Sequence, residues 1–325
     1  MSMFPDYRPR RLRRTEALRQ AFAETNLVPS DFVAPLFLKE GIEDPVPISA
    51  MPGHFQHTLE SVVKEARELA ERGISGAILF GIPAEKDAAG SEAWSETGIS
   101  QLGLKALKDE LGDSAVVMAD LCLCEYTDHG HCGILKGETV DNDPTIEAYA
   151  RIAIAQAEAG ADVVAPSGMM DGQVGAIRAA LDSAGFQETV ILSYAAKFAS
   201  NLYSPFREAA EGAPQFGDRR AYQQHPPNAS EALREAELDV AEGADALMVK
   251  PAIGYLDVLR AVKDRFDYPT AAFNVSGEYA MLKAAAERGW IDERKTTLEL
   301  LTSIRRAGAD LIITYHAKQA AEWLT

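Results

Sequence analysis

All three cysteines of the chain fall within one short segment, DLCLCEYTDHGHC, at positions 120–132. Residues i and i+2 of a strand point to the same face, so Cys122 and Cys124 at a strand end would present two thiols together. The loop that follows would return Cys132 to them. Zinc favours thiolate donors, and three protein ligands leave a fourth position for water or substrate, as in catalytic zinc sites. The spacing therefore predicts a catalytic zinc held by three thiols.

Two other interpretations of this segment stay open. Cysteine is a common core residue, so the three thiols could be buried packing groups. His129 and His131 lie in the same segment, and either could supply a fourth ligand, which would close the site and make it structural.

Two lysines stand in apolar surroundings, Lys197 in LSYAAKFAS and Lys250 in LMVKPA. A lysine nucleophile must be neutral, although the ordinary pKa of a lysine is about 10.4. Desolvation and a second nearby cation both lower that pKa, and a neutral lysine condenses with a ketone or aldehyde to a Schiff base. One such lysine could equally contact a phosphate or a carboxylate. Two at neighbouring strand ends, beside a three-thiolate site, favour carbonyl chemistry.

Further polar residues could bind carboxylates. Arg207 and Arg219 lie in a long segment after Lys197, and a guanidinium binds a carboxylate through two parallel hydrogen bonds. Ser276 ends a predicted strand and Tyr315 lies near the end of another, where both could bind a second carboxylate.

Eight apolar, β-branched-rich runs position these residues, and strands buried on both faces of a parallel sheet have this composition. They occupy residues 32–38, 76–82, 115–123, 161–167, 189–196, 244–252, 269–276 and 309–317. Helical patterns alternate with them, which predicts an α/β fold, a (β/α)8 TIM barrel. An open doubly wound sheet is the alternative, but the chain has no GxGxxG or Walker motif.

The boundaries of some helices can be predicted as well. Residues 58–73 and 143–160 have helical spacing, with Asp143 as the N-cap and Pro144 in the first turn of the second helix. The cadences EAGADVV, AEGADAL and RAGADLI each predict a helix end, a glycine cap and a strand start. The long segments 83–98 and 200–229 would follow strands two and five and could act as lids.

Composition limits the classes of partner. The net charge of −17 argues against nucleic-acid binding. No apolar run approaches the ~20 residues of a membrane span, and the N-terminus has no apolar signal core. We therefore expect a cytoplasmic protein with reduced thiols.

Residues 1–30 would form an N-terminal extension arm that contacts a neighbouring subunit, and residues 31–325 would form the catalytic barrel. The arginine-rich YRPRRLRR in the arm could also belong to a transit peptide, although acidic residues flank it and serine is scarce.

The motifs together resemble the porphobilinogen synthase family, also called 5-aminolevulinate dehydratase. The resemblance extends from RPRRLRR through CLCEYTDHGHCG, APSGMMDG, SYAAKFAS, PFREAA, GDRRAYQ, LMVKPA and VSGEYAML to RAGADLI. It implies a (β/α)8 barrel whose N-terminal arm embraces a neighbouring subunit, usually in a homo-octamer. It also implies the condensation of two 5-aminolevulinate molecules to porphobilinogen, with loss of two waters, an early step of tetrapyrrole (heme) biosynthesis.

The resemblance also implies roles for individual residues. The two Schiff-base lysines of the family match Lys197, for the substrate of the acetyl side (the A-site), and Lys250, for that of the propionyl side (the P-site). The zinc ligands match Cys122, Cys124 and Cys132, which resembles the zinc-type branch, since other members carry aspartates there and use magnesium or another metal.

The remaining family positions bind carboxylates, line the pocket or bind a second metal. The A-site carboxylate contacts match Arg207, Arg219 and Gln223, the P-site contacts match Ser276 and Tyr315, and Asp120 and Ser167 match pocket-lining residues. Glu235 in ALREAELD matches a glutamate through which many bacterial members bind an activating, allosteric magnesium. Asp120 could also assist proton transfer.

Two other functions remain as alternatives. A class I Schiff-base aldolase would use one lysine and a structural zinc. A zinc-binding scaffold that has lost catalysis would need a missing lysine or a broken carboxylate site, and the sequence has neither.

Overall fold

The computed structural model describes residues 7–325. Its main element is a closed barrel of eight parallel strands, because the first strand pairs with the second and also with the last. The strands are β1 Phe32–Lys39, β2 Gly76–Ile82, β3 Val116–Leu121, β4 Val163–Pro166, β5 Val190–Lys197, β6 Ala246–Lys250, β7 Thr270–Asn274 and β8 Leu311–Thr314. Closure confirms the predicted (β/α)8 barrel and excludes the open doubly wound sheet.

The strands are buried on both faces, as their apolar composition predicts. One set of side chains fills the barrel interior and includes Val33, Phe37, Ile78, Phe80, Met118, Tyr194, Met248 and Phe273. The other set packs under the surrounding helices.

The helices alternate with the strands. Within the described chain they are α1 Glu16–Ala21, α2 Leu59–Glu71, α3 Ile99–Leu111, α4 Asn142–Glu158, α5 Gln173–Ala184, α6 Ser204–Ala209, α7 Ala229–Glu242, α8 Leu256–Phe266, α9 Ser276–Glu287, α10 Glu293–Ala307 and α11 Ala317–Leu324. No helix within residues 7–325 combines the length and the apolarity that crossing a membrane requires.

The glycine cadences behave as predicted. Gly160, Gly243 and Gly308 follow the ends of α4, α7 and α10 with φ of 97°, 103° and 120°, values that favour glycine over other residues. The predicted start of α4 is wrong by two residues. Its N-cap is Asp141, so Asp143 lies inside the first turn.

An irregularity in β5 sets the direction of Lys197. Between the paired positions Ser193–Leu247 and Ala196–Val249, β5 contains one residue more than β6. Such a β-bulge shifts the inside–outside alternation of a strand by one position. Tyr194 points into the barrel, Ala195 and Ala196 pack outside it, and Lys197 again lies on the inner side.

The segments around the barrel are less regular. Both predicted long loops follow the carboxyl ends of strands, residues 83–98 after β2 and residues 200–229 after β5. A short strand, Phe55–His57, pairs with the carboxyl-terminal half of β1, whereas β8 pairs with the first two residues of β1. Residues 7–30 precede the barrel and are mostly exposed, with a 3-10 helix at Pro9–Arg13 and then α1.

Candidate active site

The two predicted lysines lie side by side at the carboxyl ends of adjacent strands. Lys197 ends β5, Lys250 ends β6, and the two residues are paired in the strand register. Each side chain is only 5% exposed. Their amines share one aromatic ring, since the Nζ atoms lie 5.5 Å and 5.0 Å from the centre of the Tyr194 ring.

Lys250 is surrounded by aromatic side chains. Its Nζ lies 4.0 Å from the ring centre of Phe273 and 5.2 Å from that of Phe206. Burial lowers the pKa of Lys250 to about 7, and the positive charge of Lys197 acts in the same direction. A large fraction of this amine is therefore neutral, and nucleophilic, near neutral pH.

Asp120, near the end of β3, is linked to Lys197 through Ser167. Its carboxylate accepts hydrogen bonds from the hydroxyls of Tyr194 at 3.0 Å and Ser167 at 3.2 Å. The backbone oxygen of Ser167 accepts a hydrogen bond from the Nζ of Lys197. Burial, reinforced by the negative charge of Glu125, raises the pKa of Asp120 to about 8. A carboxyl that is largely protonated at neutral pH can donate a proton as well as accept one.

The pattern of residues in the sequence does not indicate that Tyr194 lies beside the two lysines. Its position in SYAAKFAS, three residues before Lys197, places it on the opposite strand face from the lysine in an unbroken strand. Only the bulge brings both side chains inside the barrel. Local alternation could therefore not identify Tyr194, and the sole available signal was a polar aromatic within a buried run.

The three cysteines converge in a buried cluster. All three Sγ atoms lie within 4.8 Å of one another, and those of Cys122 and Cys124 are 3.4 Å apart. One detail of the prediction is wrong, because β3 ends at Leu121 and the cysteines follow it. A loop rather than strand alternation therefore brings the thiols together. Three buried sulfur donors without a disulfide fit a zinc ion, since thiolate is a preferred zinc ligand.

Both histidines of the segment have other partners. The Nδ1 of His129 accepts a hydrogen bond from the backbone N–H of His131, and its Nε2 lies 3.3 Å from the oxygen of Ala88. The ring nitrogens of His131 contact the Tyr222 hydroxyl at 3.2 Å and the Phe216 oxygen at 3.0 Å. Among residues 7–325, the group that could hold a metal consists of thiols alone.

The long segment after β5 contributes three buried donor groups that have no hydrogen-bond acceptor among the described residues. Arg207 lies on α6, and Arg219 and Gln223 lie further along the segment. The Nε atoms of both arginines and the Nε2 of Gln223 are buried and have no hydrogen-bond partner within residues 7–325. The other end of the Arg219 guanidinium donates to the backbone oxygens of Gly130, at 2.9 Å, and Gly212. Since buried donors are normally paired, these groups are suited to an acidic ligand.

Ser276 and Tyr315, the two residues predicted to bind a second carboxylate, both follow carboxyl ends of barrel strands. Ser276 is the first residue of α9, and not the end of a strand as predicted. Its hydroxyl accepts a hydrogen bond from the backbone N–H of Phe206 at 3.0 Å. Tyr315 follows β8, and its ring lies 6.1 Å from that of Phe273, which in turn covers Lys250.

Glu235 lies apart from the lysines. It lines a cleft of about 350 Å³ together with Asp171, Glu231 and residues of the long segment that include Gln223. Burial raises the pKa of Glu235, and the charges of Asp171 and Glu231 add to this effect. Neither lysine lines this cleft.

Known proteins resemble this chain along its whole length. A family model described as delta-aminolevulinic acid dehydratase matches residues 6–323. The delta-aminolevulinic acid dehydratase of Synechococcus elongatus is 55% identical over 99% of this chain and 100% of its own length. That of Mycobacterium tuberculosis is 55% identical over 100% of this chain and 99% of its own length.

A solved structure matches as well. The delta-aminolevulinic acid dehydratase (porphobilinogen synthase) from Toxoplasma gondii, in complex with the reaction product porphobilinogen, superposes with a TM-score of 0.96. It is 44% identical, and the match covers 98% of this chain and 92% of that one.

Proposed function

Because this chain belongs to the delta-aminolevulinic acid dehydratase family, we propose that it condenses two molecules of 5-aminolevulinate to porphobilinogen with loss of two waters, an early step of tetrapyrrole (heme) synthesis. The observation that carries the proposal is the pair of buried lysines, Lys197 and Lys250, at adjacent strand ends of a closed barrel. Two adjacent buried amines can hold two keto acids at once, each as an imine formed with one ketone.

The lysines would act as two distinct nucleophiles. Lys197 would bind the A-side substrate and Lys250 the P-side substrate, each through a carbon–nitrogen bond formed with release of one water. Asp120 hydrogen-bonds to Tyr194 and Ser167 beside both amines. With a pKa raised to about 8 by burial, it is suited to hold and return a proton as the imines form and exchange.

Two separate groups of side chains would hold the carboxylates. The unpaired donors of Arg207, Arg219 and Gln223 support an anion site on the A-side. Ser276 and Tyr315 would hold the carboxylate of the P-side substrate, next to the rings that surround Lys250. The long segment that carries the arginines would close over both substrates and exclude water, which protects imines from hydrolysis.

Cys122, Cys124 and Cys132 would hold zinc, with Tyr149 fixing the loop because its hydroxyl donates to the Cys132 oxygen at 2.5 Å. A zinc ion bound there would supply Lewis-acid chemistry next to the A-side.

The proposal also includes an activating magnesium at Glu235, assembly into a homo-octamer through the arm of residues 1–30, and a cytoplasmic location, where the free thiols stay reduced.

The test is porphobilinogen formation from 5-aminolevulinate alone, before and after chelation, with zinc or magnesium restored separately. We expect activity that is lost on chelation and returns with zinc. Replacing either lysine by methionine should abolish product, whereas Lys105→Met, an exposed lysine on α3, should be neutral. Borohydride trapping at one lysine only, without pyrrole, would instead support the aldolase. Activity that survives chelation would remove the zinc from the proposal.

A further inference from the structure

A buried carboxylate joins the ends of two barrel strands beneath the proposed P-side. Glu278 on α9 is only 3% exposed. Its Oε2 accepts hydrogen bonds from the backbone N–H of Val275 and the side-chain amide of Asn274, both at 2.9 Å. Its Oε1 accepts a hydrogen bond from the backbone N–H of Ile253 at 2.7 Å. The first two donors follow or end β7, and the third follows β6.

The chain of hydrogen bonds continues to β8. The side-chain oxygen of Asn274 accepts a hydrogen bond from the Thr314 hydroxyl at 2.9 Å. The Thr314 oxygen in turn accepts one from the backbone N–H of His316 at 3.1 Å. Asn274, Thr314 and His316 are all buried. Three adjacent strand ends are therefore connected by side chains at the catalytic face of the barrel.

Each connection adjoins a residue assigned to the P-side. Ile253 follows Lys250 by three positions, Val275 precedes Ser276, and Thr314 and His316 flank Tyr315. The network thus contacts the backbone three residues after Lys250 and the backbone next to both groups that would hold the carboxylate.

Helix capping explains only part of this arrangement. An acidic residue in the first turn of a helix commonly accepts a hydrogen bond from the N-cap amide, as Glu278 does from Val275. The bond to Ile253 goes to a different strand end, which a cap does not require. Burial raises the pKa of Glu278 to about 7, opposed by the hydrogen bonds that it accepts. A neutral side chain could cap the helix without the free-energy cost of burying a carboxylate, so capping alone does not account for Glu278.

We propose that Glu278 is a positioning residue that sets the distance from the Lys250 amine to the carboxylate contacts Ser276 and Tyr315, and thereby selects the length of the keto acid bound on the P-side. This inference rests on the proposed function. A ketone held by an imine at one end and a carboxylate at the other must match the spacing of the two sites. Displacement of reacting groups by about 1 Å can cost ~100-fold in rate.

The test is borohydride trapping of two keto acids, with the modified lysines located by peptide mass spectrometry. The first, 4-oxopentanoate, has the ketone and carboxylate of the substrate but no amine, and the second, 5-oxohexanoate, is one carbon longer. In the wild type we expect the shorter acid to be preferred at both lysines. In Glu278→Gln, trapping of the shorter acid at Lys250 should fall by about 10-fold and the length preference there should diminish. Trapping at Lys197 should stay within about twofold of the wild type.

Two further variants make the result decisive. Asp239→Asn is the matched control, because burial raises the pKa of Asp239 to about 7 as well, but this residue bonds Ser193 in the middle of β5. It should leave the length preference unchanged. Thr314→Val breaks the network at β8 with little change in shape and should weaken selection in the same direction, and it carries the test if Glu278→Gln does not fold.

An unchanged length preference at Lys250 in a folded variant would overturn the inference, and so would an equal loss at both lysines. A wild type that traps neither acid would instead overturn the proposed function.

Discussion

At the scale of single residues, the surroundings of Lys250 favour the neutral form of its amine. Burial lowers its pKa to about 7, with Lys197 contributing in the same direction. Since imine formation needs the neutral amine, trapping of 4-oxopentanoate on Lys250 should be half-maximal near pH 7, whereas an ordinary lysine titrates near ~10.4. Peptide mass spectrometry after borohydride reduction, over a pH series that brackets neutrality, measures this midpoint.

A change at the neighbouring lysine provides the control. Lys197→Met removes the neighbouring positive charge, so the midpoint at Lys250 should rise, by about 1 pH unit. A midpoint above about 9 in the wild type would contradict the conclusion that burial and the second amine lower the pKa of Lys250.

At the scale of elements, the loop that carries the cysteines lies directly against the long segment after β5. A Cβ on Gly130 would lie 2.2 Å from the backbone oxygen of Ala213, and Gly130 has φ of 70°. Gly130→Ala should therefore displace the long segment and the Arg219 that bonds the Gly130 oxygen. We expect KM for 5-aminolevulinate to rise by about 10-fold, since ~1.4 kcal/mol of lost contact has this effect.

The long segment also offers a control for backbone strain. Gly217 has φ of 59° but no atom within 4 Å of its would-be Cβ. Gly217→Ala therefore introduces similar strain without the collision, and KM should change far less. Equal changes in the two variants would show that strain, and not the loop–loop contact, is responsible.

The contact between α7 and β5 predicts a pH-dependent stability. Burial raises the pKa of Asp239 to about 7 from an ordinary 3.8, although its carboxylate accepts a hydrogen bond from Ser193 at 2.6 Å. Between these values the unfolded chain has released a proton that the folded chain keeps, so this group destabilises the fold increasingly as pH rises and fully above about 7.

Asparagine keeps the acceptor without the charge. Asp239→Asn should exceed the wild type in free energy of unfolding by up to about 4 kcal/mol near pH 8, and the two should be equal near pH 4. Denaturant titrations at both pH values check this. A gap that does not change with pH would exclude the ionisation as its cause.

The sequence predicts the barrel well because each strand and each glycine cap is a local pattern. Each of the eight apolar runs overlaps one barrel strand, and Lys197 and Lys250 end theirs as predicted. The bulge in β5 is a property of pairing between two strands, so no pattern within β5 could indicate it or reveal Tyr194. The positions of Ser276 and of the cysteines were misassigned for a related reason, since strands end where neighbours stop pairing and not where apolar residues stop.

At the scale of the whole molecule, the arm exposes apolar surface that the barrel does not cover. Tyr7, Phe22 and Val28 are 76%, 58% and 47% exposed. Exposed apolar groups on a segment next to several arginines fit contact with another subunit. Deletion of residues 1–30 should therefore yield a smaller assembly with the barrel still folded, as measured by light scattering after gel filtration. A full-sized assembly of the truncated chain would remove the arm from the proposed octamer contacts.

The barrel closes through pairs that join its first and last strands, Phe32 with Ile312 and Val33 with Ile313. During synthesis on a ribosome, β8 is the last of the eight barrel strands to leave the exit tunnel, so a nascent chain can contain both lysines and all three thiols while its barrel is still open. Tyr315 follows β8 directly and arrives with closure. The closed barrel around both lysines is thus completed only with β8, so a chain that stops before β8 contains both lysines but neither the closed barrel nor Tyr315.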